Sequence, residues 1–250
     1  MSILRYDVDC ITWNPQGKIQ QVDYALEAVK QGSICLAIRS ENEAVLVSVK
    51  KNPSKLACYQ EKIFKISDTI GIGISGMTGD ARILCKYMRF ANAKNQIKYN
   101  DNISVSSLAG KVAKKAHQKT YIYGKRPFGV SILMIGYNKD KPKVYEVTPA
   151  GEQIEYNAFA IGAKSQSSKT YLEKHFGTFE KASTENLILH ALNALKAGYR
   201  DEPEDMSEKN IEVALLTKKH GFQNLTRENV KAHIEKLANF KPEDQMVIES

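Results

Sequence analysis

The chain has 250 residues, a formal net charge of +8, 42% hydrophobic and 26% charged residues, proportions of one globular domain that needs no disulfide or metal staple. No apolar run approaches the roughly 20 residues of a membrane-spanning helix, and the opening MSILRYDVDC carries no signal-peptide pattern. Cys10, Cys35, Cys58 and Cys85 are scattered, with no CxxC and no clustering with the five histidines, so free thiols are expected, and neither a metal nor any other cofactor.

Pro15 and Gly17 stand as punctuation before residues 18–30, where Ile19, Val22, Leu26 and Val29 recur at helical spacing. Gly32 ends that helix. Two short apolar runs follow, Ile34 to Ile38 and Ala44 to Val49, and then Ile63 to Ile66 and Ile70 to Ser75, each pair around a polar turn. A long helix is expected from Thr78 to about Lys94, with Ala81, Leu84, Met88 and Ala91 inward and Asp80 at the positive end of its dipole. A second runs from Val105 to Lys119 with Leu108, Val112 and Ala116 inward. Its Lys111, Lys114, Lys115 and Lys119 are the densest basic group and are expected to be a solvated face. No aromatic-rich basic motif accompanies them, so no nucleic-acid partner is expected, and no membrane partner either.

Strands are expected over Val130 to Tyr137, Lys143 to Thr148, Gln153 to Glu155 and Ala158 to Ile161, helices over Ser165 to His175 and Thr184 to Lys196, a strand over Ile211 to Thr217 and a helix over Arg227 to Leu237. Strands come in pairs and helices in groups, which argues against a Rossmann repeat and for two stacked sheets with helices outside. One domain over 1–250 is expected, with residues 1–17 as an N-terminal tail and 240–250 as a C-terminal one.

The most specific stretch starts at Tyr6. Tyr6-Asp7, Asn14-Pro15-Gln16-Gly17-Lys18-Ile19, Gln21-Val22, Tyr24-Ala25 and Ala28-Val29 resemble the N-terminal signature of 20S proteasome alpha-type subunits. The likeness continues through Gly76-Met77-Thr78-Gly79-Asp80-Ala81-Arg82, Tyr123-Gly124-Lys125-Arg126-Pro127-Phe128-Gly129, and Ile161-Gly162-Ala163-Lys164-Ser165-Gln166-Ser167. Trp13 and the Lys164–Ser167 run are most similar to the type-1 branch. Val8 stands where the family often has arginine.

The resemblance implies an α+β fold, the four-layer α/β/β/α sandwich of N-terminal-nucleophile hydrolases. It implies a non-catalytic subunit of a seven-membered alpha ring, seated on beta subunits, that helps close an axial gate and docks regulatory particles in cytoplasm and nucleus. Tyr6, Asp7, Pro15 and Tyr24 would form the gate cluster, Pro15 aiming the tail through its fixed φ. Lys62 would receive a regulator's terminal carboxylate, although a lysine entering a strand is ordinarily solvated. Tyr123, Gly124, Lys125 and Arg126 would line the annulus below the gate, Gly124 allowing close backbone approach. Catalytic members use a nucleophile freed at the chain start. Ser33 lies near that position, but a helix precedes it and Val49 stands near the place of the helping carboxylate. Lys62 alone matches the catalytic lysine.

Overall fold

The computed structural model describes residue 9 and residues 11–51, 56–58, 60–199, 207–237 and 240. Ten strands form two antiparallel five-stranded sheets among the described residues. The first holds β1 (Cys35–Arg39), β2 (Ala44–Val49), β8 (Ala158–Ile161), β9 (Ile211–Thr217) and β10 (Gly221–Asn224), in the order β10-β9-β2-β1-β8. The second holds β3 (Ile63–Ser67), β4 (Ile70–Gly76), β5 (Val130–Asn138), β6 (Lys141–Val147) and β7 (Gln153–Tyr156) in chain order. Helices α2 (Thr78–Tyr99) and α3 (Val105–Tyr121) cover the second sheet, and α4 (Ser165–Lys174), α5 (Thr184–Gly198) and α6 (Arg227–Leu237) cover the first. The layers are helix, sheet, sheet, helix, the α+β sandwich that the resemblance implies.

Alternation along the strands builds this stack, because successive side chains point to opposite faces. In the first sheet Leu36, Ile38, Val45 and Val47 join the helix-side core, while Cys35, Ala37, Ala44 and Leu46 join the layer between the sheets. In β4, Ile70, Ile72 and Ile74 face α2 and α3. Gly71 and Gly73 face the other sheet, where a Cβ would fall 1.8 Å from the Phe222 ring and 2.2 Å from Cys35 Sγ. The sheets therefore meet closely at β4 because two side chains are missing.

Helix α1 (Gln20–Gln31) packs on β4 and β5. It starts two residues later than the periodicity predicts because Lys18 belongs to the preceding turn: its carbonyl accepts the Asn14 N–H at 2.9 Å. Helix α2 outruns its expected end at Lys94. Asn95 and Gln96 side chains bond Asp101 O and Asn102 Oδ1, both at 2.9 Å, and the helix stops at Asn100 in the left-handed conformation. Lys115 and Lys119 are not merely solvated; their ammonium groups lie over the Tyr87 and Phe128 rings. On the outer side of α2, Ile83, Phe90 and Ile97, seven residues apart, are all more than half exposed.

Candidate functional site

Lys62 enters β3 just before its first paired residue, and the structure buries it to 6% exposure, against the ordinary expectation of a solvated lysine. Among the described residues its ammonium has a single hydrogen-bond contact, to Thr78 Oγ1 at 3.5 Å in the first turn of α2, and no carboxylate pairs with it. Burial pushes its pKa below the usual lysine range, against smaller upward pulls from Cys35 and Glu212. The group is thus an inward-held cation beside a helix N-terminus, where unpaired N–H groups favour anions. Gln60 completes the surroundings through its bond with Thr78.

Glu212, on β9, gave no signal in the sequence. Its Oε2 accepts the backbone N–H of Lys62 at 2.9 Å and of Ile63 at 3.2 Å. Its Oε1 lies 3.5 Å from Lys50 Nζ. Burial raises its pKa; the Lys62 N–H, the Lys50 charge and the Ile63 N–H offset part of that. Glu212 could have been noticed only as a lone acid in a strand whose neighbours, Ile211 and Val213, are apolar.

The segment between α3 and β5 divides in two. Tyr123 is 81% exposed and Lys125 is exposed beside it. Gly124 has φ +73 with nothing of this chain within 4 Å of a notional Cβ, so within the chain it serves a left-handed turn. Arg126 instead turns back to α2. It donates to both oxygens of Asp80 at 2.6 and 2.8 Å, and Asp80 also accepts the Gly129 N–H at 3.0 Å. Burial would raise the Asp80 pKa, but the Arg126 bonds, the Gly129 N–H and the charges of Arg126 and Lys119 hold it below the usual carboxylate range. Tyr123 to Lys125 form the projecting tip; Arg126 is its anchor.

Of the expected gate cluster, Tyr6 and Asp7, with Val8, lie outside the described residues. Pro15 is exposed and Tyr24 is 48% exposed. The residue that organises their turn is Asn14, whose Oδ1 accepts the N–H of Gln16 at 3.0 Å and of Lys18 at 2.8 Å, with Gly17 closing the turn at φ +75. Ile11, Trp13, Ile19, Val22, His117 and Tyr121 line a cavity of about 380 Å³, joining this turn to the end of α3.

Ser33 is buried at 5% exposure and follows the intact, packed α1. Its carbonyl accepts the Ser75 hydroxyl at 2.9 Å, and the same hydroxyl reaches Val29 O at 3.0 Å. Val49 is fully buried and apolar. No general base is brought to Ser33 by these contacts.

Comparison with known proteins bears on the same segments. The proteasome subunit family matches residues 29–216, and the N-terminal signature of A-type proteasome subunits matches residues 6–28. The chain belongs to the proteasome alpha-subunit family. It is 40% identical to the alpha type-1 proteasome subunit of Dictyostelium discoideum over 95% of this chain and 96% of that one. It is 40% identical to the probable alpha type-6 subunit of Schizosaccharomyces pombe over 95% and 87%, and 37% identical to the alpha type-6 subunit of Saccharomyces cerevisiae over 92% and 98%. Alpha subunits are structural components of the outer ring of the 20S core, the non-catalytic members of a proteolytic complex, and assemble there with other proteasome subunits.

Proposed function

We propose that this alpha subunit docks the C-terminal carboxylate of regulatory particles at Lys62, in a seven-membered ring of alpha subunits that rests on beta subunits and opens and closes an axial gate. The observation that carries the reading is the buried Lys62 ammonium with no acidic partner among the described residues, next to the Thr78 end of α2. A buried cation without a counter-charge is costly, and a terminal carboxylate supplies that charge with a charge-assisted hydrogen bond. The exposed Ile83, Phe90 and Ile97 stripe suits a seat on another subunit layer. Tyr6, Asp7, Pro15 and Tyr24 are assigned to the gate, Tyr123 to Lys125 to the annulus beneath it, and Arg126 to holding that annulus in place. The chain itself does not cut: α1 precedes Ser33, so its nitrogen is a peptide amide and not the free amine that would activate such a nucleophile. Free thiols at Cys35 and Cys85 suit the reducing cytoplasm and nucleus.

The test is Lys62→Ala in the assembled particle. Affinity for an activator whose tail ends in a free carboxylate is expected to fall about tenfold at this subunit's pocket, and an amidated tail should bind both forms equally poorly. Undiminished docking in the variant would remove Lys62 from the site.

A further inference from the structure

Glu212 reaches across the sandwich: it stands on β9 of one sheet and bonds the backbone at the start of β3, the edge strand of the other. One oxygen takes the two consecutive N–H groups of Lys62 and Ile63, and the Lys62 carbonyl accepts the Ile74 N–H at 3.1 Å. The Lys62 backbone is therefore fixed on both sides, and the direction in which its side chain leaves is fixed with it. The second oxygen lies by Lys50, whose own N–H is tied to Asn210 O. Neither oxygen neutralises the Lys62 ammonium, which stays available beside Thr78.

We propose that Glu212 is the positioning residue of the Lys62 site, clamping the strand that carries the lysine so that its ammonium stays aimed at the N-terminus of α2. This rests on the docking reading of Lys62. The clamp makes a counterintuitive claim. Glu212 is an anion near a site for anions, so by charge alone its removal should tighten carboxylate binding. Positioning requires the opposite, because a displaced ammonium loses the geometry of a charge-assisted bond. The charged or titratable groups around Glu212 are Lys62 and Glu61 beside β3, Lys50 after β2, and Cys35 on β1.

The experiment uses assembled particles carrying wild-type chain, Glu212→Ala or Glu212→Gln. Lys62 is labelled with a water-soluble succinimidyl ester across a pH series and quantified by peptide mass spectrometry, with and without a synthetic peptide ending in a free carboxylate. Glu212→Ala is expected to weaken protection of Lys62 by the peptide about tenfold. Glu212→Gln, which keeps one acceptor oxygen and the side-chain shape, should recover most of that loss. In both variants the labelling midpoint should move to lower pH, since a negative neighbour that favours the ammonium has gone. Protection equal to or tighter than wild type in Glu212→Ala overturns the proposal, as does an unmoved midpoint in both variants. If the peptide fails to protect even wild-type Lys62, the docking reading fails, and the labelling rate of Lys62 above its midpoint decides whether Glu212 holds the lysine: faster in Glu212→Ala but not in Glu212→Gln if it does, unchanged in both if it does not.

Discussion

Two basic residues reach the first turn of α2 and meet opposite fates there. Arg126 arrives from the segment between α3 and β5 with its side chain 59% exposed and meets both oxygens of Asp80. Lys62 arrives from β3, almost wholly buried, and finds a hydroxyl at the limit of hydrogen-bond distance. Stability alone would distribute charges the other way, since an exposed cation needs little help and a buried one needs much. The satisfied pair is therefore read as architecture and the unsatisfied cation as a place for a ligand.

The strongest way to break this contrast is to remove Asp80. Asp80→Ala strands the Gly129 N–H and frees Arg126, at an expected cost of about 2–3 kcal/mol, measured as the shift in thermal unfolding of the chain. A variant as stable as wild type would show that the pair anchors nothing. Lys62→Met sharpens the other side. If the lysine's charge is uncompensated within the chain, an apolar replacement of similar length should be neutral or stabilise by about 1 kcal/mol while docking is lost. A marked loss of stability would reveal an internal partner.

The two carboxylates nearby should also answer to pH with opposite sign. Asp80 is held below the usual range, so its contribution is present above the unfolded carboxylate pKa and lost as pH falls through its own. Glu212 is held above that range, so the folded state keeps its proton longer and stability from this group falls as pH rises through its pKa. Differences between wild type and Asp80→Asn or Glu212→Gln unfolding curves across pH should slope in opposite directions; parallel curves would refute it. The smallest effect belongs to Tyr123→Ala, where the exposed ring should cost less than about 0.5 kcal/mol in stability.

Sequence pattern and physics meet well where periodicity carries the message. Ala44–Val49, Ala158–Ile161, Ile211–Thr217 and Arg227–Leu237 are found at the positions their apolar spacing predicts. Strand β10 escapes such a reading because Gly221–Asn224 is short and has one apolar side chain, Phe222, whose role depends on the hollow at Gly71. The candidate site was legible only in part. Lys62 and the Tyr123–Arg126 segment are visible through family likeness, but Glu212, Thr78, Asp80 and Asn14 act through contacts between residues distant in sequence or through backbone N–H groups. No spacing rule announces a carboxylate on one sheet that holds the backbone of the other.

The missing side chains of β4 have an evolutionary consequence. Cys35 Sγ occupies the space that a Cβ at position 73 would claim, and burial pushes its thiol pKa up, away from reactivity. The cysteine is there for its volume. Among related chains, bulk at positions 35 and 73 should trade as one quantity: a larger residue on β4 tolerated only where a smaller one has replaced the thiol, with the spacing between the sheets conserved more strictly than either residue.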